Sequence, residues 1–231
     1  MALIVAIDTA VDTAGVCLSK DNQVLGFLEN ERQKDHASWI HTAIRRLMNE
    51  AGLEMKLLNA VAVTAGPGSY TGLRVGMATA KGLCYALKIP LIAENTLKVM
   101  AYAVKQEDRQ TLPGAGSPVL ICPMIDARRM EVFTALFNDK LEEIIPSAAK
   151  ILDPLSFNNY LQNSAILFCG NGNVKWKGLT VHNNAYFSSI RHNALHLAAL
   201  AAEKLSHGQF SDLVYAEPLY LKNFYTPGDS N

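Results

Sequence analysis

Twice in this sequence an uninterrupted apolar run ends on an aspartate. Residues 3–7, LIVAI, stop at Asp8, and residues 119–125, VLICPMI, stop at Asp126. A run this short with no polar alternation reads as a strand covered on both faces, not as one side of a half-solvated sheet. Each run leads into hairpin signals and then into alternating helix and strand patterns. After the first, 14–19 and 23–29 pair around Lys20-Asp21-Asn22; after the second, Arg128-Arg129 turns the chain into 130–137. The echo predicts a duplicated α/β architecture in two halves.

Between the two runs, apolar residues at Ala37, Ile40, Ile44, Leu47, Met48 and Ala51 predict a helix over 36–51, closed by Gly52. A buried strand is expected at 58–65, a helix at 72–87, a strand at 90–93 and a helix at about 95–105. The polar, Pro- and Gly-containing stretch 105–118 is the expected hinge, giving lobes of 1–108 and 109–231, with the last segment returning to the first lobe. Beyond it, helices are expected near 153–162 and 190–206 and a strand at 165–169, with the tail 226–231 mobile.

The 231 residues carry 21 basic and 21 acidic side chains. Zero net charge argues against a stand-alone nucleic-acid binder. Charged residues are 18% of the chain against about 25% in an average domain, which leaves room for a large core or a covered surface. No basic-then-apolar leader and no run of membrane-spanning length is present, and Cys17, Cys84, Cys122 and Cys169 form no C-x-x-C pair. The expectation is a cytoplasmic protein with reduced, buried thiols.

The sharpest local motif is GPGSYTGLR, 66–74, between a buried strand and a helix. It lacks the Lys of a Walker A loop, and Thr71 stands where a dinucleotide fingerprint needs glycine. Two readings stay open: an anion cradle at a helix N-terminus, or a tight turn docking helix on sheet. In the following helix Gly72, Gly76, Ala80 and Cys84 recur every four residues and form one smooth ridge. Such a ridge accepts either the chain's own sheet or a partner's helix. With Trp39, which lies off the apolar stripe of the first helix, it marks an expected partner interface of Trp39, Gly72, Gly76, Ala80 and Leu83. On that reading Gly76→Leu abolishes pairing and leaves the monomer folded. His192 and His196 at i, i+4, the pair His36 and His41, and Lys175-Trp176-Lys177 are weaker candidates for metal or base contacts.

The block AVTAGPGSYTGLRVGMATAKGLCYALKIPLIAENTL resembles the bacterial TsaB (YeaZ) family, as do IDTA near the start, DARRMEVF at 126–133 and the late YAEPLYLK. The resemblance implies a duplicated actin-like, ribonuclease-H-like fold, two lobes each with a mixed sheet flanked by helices. It implies a non-catalytic subunit working with TsaD and the ATPase TsaE to form threonylcarbamoyladenosine at position 37 of tRNAs reading A-starting codons. It further implies a TsaD heterodimer formed through the helices at 36–51 and 72–87, a homodimer in isolation, tRNA contact only through the complex, and no membrane. The catalytic paralogue carries two histidines four apart after the strand that follows the GPG helix; here Thr96 and Met100 stand in those places. No catalytic residue, metal or cofactor is therefore expected, beyond vestigial ATP or ADP binding in a degenerate cleft of Asp8, Thr9, Asp126, Gly170 and Gly172. The competing expectation is a nucleotide-dependent phosphotransferase or hydrolase using Asp8, Asp126 and Gly170.

Overall fold

In the computed structural model the described residues are 2–32, 35–107 and 119–222. Strand β1 (Leu3–Asp8) is buried along its whole length because it lies mid-sheet. It pairs antiparallel with β2 (Ala14–Lys20), which pairs antiparallel with the edge strand β3 (Gln23–Asn30). On its other side it pairs parallel with β4 (Ala60–Gly66), and β4 with β5 (Leu91–Asn95). Helix α1 (His36–Glu50) follows β3, α2 (Tyr70–Leu87) joins β4 to β5, and α3 (Thr96–Glu107) follows β5.

The second sheet repeats this order. β6 (Val119–Asp126) is central, with β7 (Glu131–Phe137) and β8 (Glu143–Ile151) antiparallel on one side. On the other side β9 (Ala165–Cys169) and β10 (Ala185–Phe187) are parallel. The sheet orders β3-β2-β1-β4-β5 and β8-β7-β6-β9-β10 match strand for strand. Helices α4 (Asn158–Leu161), α5 (Asn173–Lys177) and α6 (Ala194–Ser206) take the places of α1, α2 and α3, the first two much shortened.

The two halves share their last helices. Leu97, Met100, Ala101 and Val104 of α3 pack on Ile121, Ile125, Ala135 and Leu167 of the second sheet. Ala194, Leu197, Ala198 and Ala201 of α6 pack on Ile4, Ala6, Cys17 and Ala62 of the first. The two helices thus form a middle layer between the sheets. The chain after α6 stays on the first lobe: Ser211 N–H donates to the Leu91 carbonyl and Leu219 N–H to the Ala65 carbonyl.

Several boundaries differ from the sequence reading. Helix α2 begins at Tyr70, not 72, because the Ser69 hydroxyl caps it, accepting from Gly72 N–H at 3.3 Å. Helix α6 begins at 194, not 190, where Asn193 and His196 form a reciprocal cap. The helix expected at 153–162 shrinks to α4 because Asp153 and Ser156 form a turn and Phe157 takes a left-handed backbone (φ 65°). Strand β8 was not foreseen: it is a half-exposed edge strand, a place where Pro146 is readily accommodated. The expected hinge lies outside the described residues from 108 onwards, as does the tail 226–231.

Candidate functional site

The interlobe cleft is built where β1 ends, where α2 begins and where the β6–β7 turn faces them. It comprises a cavity of about 720 Å³ bounded by Ser69–Gly72, Asp126 and Arg128, and one of about 540 Å³ bounded by Gly170, Lys177, Arg191 and His192. Val11, Asp12 and Asn171 line both, so the two are neighbours.

The GPG loop is stitched to the end of β1. Ser69 N–H donates to the Ala10 carbonyl at 2.7 Å, and the Thr9 hydroxyl donates to the Gly72 carbonyl at 2.7 Å. A methyl group on Gly72 would overlap the Thr9 carbonyl, and one on Gly76 would overlap Thr9 Oγ1. Ala80 and Cys84 are fully buried. The smooth ridge therefore packs on the chain's own β1 and β4, and its assignment to a partner is corrected here. Close approach of helix to strand is what those positions require. Trp39 and Leu83 are half-buried against the first core and do not stand free of it. The solvent-facing side of α2 is Thr71, Arg74, Ala78, Gly82, Tyr85 and Ala86. A Cβ on Gly82 would meet nothing within 4 Å, and Tyr85 is 80% exposed. Arg74 lies 3.9 Å from the Tyr70 ring centroid and donates to Tyr220 Oη at 3.0 Å.

Asp8 and Thr9 are both buried. Asp8 Oδ1 accepts from the Thr64 hydroxyl at 2.9 Å and from Ala10 N–H at 3.2 Å. Its Oδ2 lies 3.3 Å from His192 Nε2, in contact but not aligned as a hydrogen bond. Burial pulls the His192 pKa down, Asp8 pulls against it, and His196 adds to the lowering. These residues as they stand do not fit a metal-bound nucleotide phosphate at Asp8, because the imidazole occupies the approach to the remaining oxygen.

Asp126, exposed at the rim, accepts from Lys175 Nζ at 2.7 Å and from Arg128 N–H at 2.6 Å. Partial burial works against its ionisation, but those two donors outweigh it and hold the pKa below the ordinary value. Gly170 has φ +85°, and a side chain there would overlap the Met124 carbonyl and the Met100 methyl. Gly172 backs onto Met124, Ile125 and Val132. Both glycines serve close backbone packing. Thr96 is fully buried, and Met100 reaches the space beside Gly170.

The weaker candidates separate. His196 faces away from His192, with Nε2 2.8 Å from Glu107 Oε1 and Nδ1 accepting from Asn193 N–H at 3.2 Å. Among the described residues no group of three His, Cys, Asp or Glu is placed to hold a metal. Trp176 is fully buried against Phe157 and Phe168 and cannot stack on a base. Among the described residues no helix is long and apolar enough to cross a membrane. Sequence reasoning missed Thr64 and the contact between His192 and Asp8. The strand-end position of Thr64 beside Asp8 was the available signal, while the His192 contact joins residues 184 positions apart.

Two mirrored five-stranded sheets around shared helices, with a cleft where the central strands end, define an actin-like α/β protein. The solved structure "YeaZ from Pseudomonas aeruginosa" has this fold, with TM-score 0.77 over 96% of this chain and 100% of that one at 24% identity. The family described as "TsaD: tRNA N6-adenosine threonylcarbamoyltransferase" matches residues 16–224. A Bacillus subtilis protein named tRNA threonylcarbamoyladenosine biosynthesis protein TsaB is 34% identical over 62% of this chain and 59% of its own length. The Escherichia coli protein of the same name is 26% identical over 95% of this chain and 94% of its own. The chain belongs to this threonylcarbamoyltransferase-related family, and within it to the TsaB (YeaZ) family.

Proposed function

We propose that this chain is a non-catalytic accessory subunit in tRNA threonylcarbamoyladenosine biosynthesis, the process to which its family belongs, and that it acts by docking a TsaD-type catalytic partner. One observation carries the non-catalytic part. Where the resemblance places the paralogue's two metal histidines, this chain has Thr96 and Met100, both buried, with the Met100 methyl packed against Gly170 in the core of the second lobe. A soft thioether and one neutral hydroxyl do not replace a pair of imidazoles as metal ligands.

Docking uses the outward side of α2, the stripe Arg74, Ala78, Gly82 and Tyr85, with the neighbouring exposed face of α1. Small residues at 78 and 82 let a helix approach, and Tyr85 supplies a large amphipathic anchor. A TsaE-type ATPase joins through the partner, and tRNA is contacted mainly by the others. In isolation two copies can use the same stripe. Any nucleotide bound by this chain alone is weak.

The test is reconstituted threonylcarbamoyl transfer to tRNA with and without this chain. Transfer at the full rate is expected only with it, and equal transfer by the catalytic partner alone would end the accessory reading. Ala78→Arg tests the surface. It is expected to leave the monomer's melting temperature unchanged and to weaken partner binding by about tenfold or more; unchanged affinity rejects the α2 stripe.

A further inference from the structure

We propose that His192 is a built-in plug that closes Asp8 to divalent cations and to the phosphates such cations carry. Asp8 stands at the end of the central strand, buried beneath His192, which itself lines the cleft. Three of its neighbours use it up. Thr64 and Ala10 N–H take Oδ1. The His192 ring, whose side chain is 5% exposed, sits 3.3 Å from Oδ2. A magnesium ion binds a carboxylate oxygen at about 2.0–2.1 Å and keeps several of its waters. An imidazole at this distance leaves no room for that shell.

The imidazole gains little by ordinary bonding. Its buried Nε2 has no aligned hydrogen-bond partner, and an unsatisfied buried nitrogen is costly. What the ring does in that place is cover the carboxylate and exclude water from it. It is also held there. Asn193, the next residue, caps α6 in a reciprocal pair with His196. Ala194 lies against Gly15 of β2, where a Cβ would come within 3.3 Å of the Ala194 methyl. The backbone that carries the ring is thus fixed at the start of α6. It is separate from Met100, which packs in the second-lobe core, so the inference stands whether or not the chain docks a catalytic partner.

The experiment is Mn²⁺ binding to the full chain, read by electron paramagnetic resonance, for the wild type, His192→Ala, and His192→Ala combined with Asp8→Asn. The expected result is that His192→Ala binds Mn²⁺ about tenfold or more tightly than the wild type, and that Asp8→Asn removes the gain. A folded His192→Ala with no Asp8-dependent gain overturns the plug. So does a wild type that already binds Mn²⁺ at Asp8. His192→Ser replaces the alanine variant should that one not fold. The wild type is also read directly, by Mn²⁺-induced broadening of the His192 ring resonances: none is expected, and broadening that Asp8→Asn abolishes overturns the proposal.

Discussion

Gly76 illustrates how one residue changes meaning once its neighbour is known. In the sequence it belongs to a smooth helix ridge; in the fold its missing side chain is the space taken by Thr9 Oγ1. Gly76→Ala is therefore expected to destabilise the monomer, by about 1–3 kcal/mol through overpacking, and Gly76→Leu by more. Thermal denaturation checks this as a melting temperature lower by about 3–10 °C for the alanine variant. Gly76→Leu is thus no probe of partner binding, because it damages the monomer first. The cysteines give a second prediction at this scale. Burial pushes Cys17 and Cys122 up to about 12 and Cys84 up to about 11. At pH 8 these thiols are expected to resist alkylation in the folded chain and to react on unfolding, as mass spectrometry would show. Asp126 supplies a third. Its lowered pKa means the Lys175 contact adds stability above the ordinary carboxylate value, and the contribution disappears as pH falls through the lowered one. Lys175→Met should move the Asp126 midpoint upward in carboxyl NMR titration.

At the scale of the element, α2 has two faces that periodicity alone does not rank. Positions 72, 76, 80 and 84 share one side, and 74, 78, 82 and 85 lie round the opposite side. Both carry small residues, so composition could not say which meets the sheet. Packing decided it, since Leu73, Met77 and Ala80 are buried and Ala78 and Gly82 are exposed. Helix α6 carries a local signal that the expected start at 190 passed over. Asn193 followed by His196 makes the cap, and Asn193→Ala is expected to cost about 1 kcal/mol in chemical denaturation. The last turn of α6 also carries Lys204, which pairs at 2.9 Å with the buried Glu94 of β5.

At the scale of the molecule, the middle layer makes the halves interdependent. Residues 1–108 alone would leave the inner face of β1, β2 and β4 without α6 and Glu94 without Lys204. That fragment is expected to be poorly folded by circular dichroism and to aggregate in size-exclusion chromatography, and to recover only with the α6 segment supplied. The strands and helices with long apolar runs or clear periodicity, and the doubling itself, were legible because those signals are local. Elements without a local signal, such as the edge strand β8 and the three-residue β10, were not legible. By itself the sequence determined the two aspartate-ended strands, the glycine loop between strand and helix, and the family. Only the tertiary structure decided that Gly72 and Gly76 face Thr9, that α3 and α6 are shared between the sheets, and that His192 meets Asp8. The physical reason is that these depend on contacts between segments far apart in the chain, and local patterns of hydrophobicity carry no information about which distant segment will fill a given face.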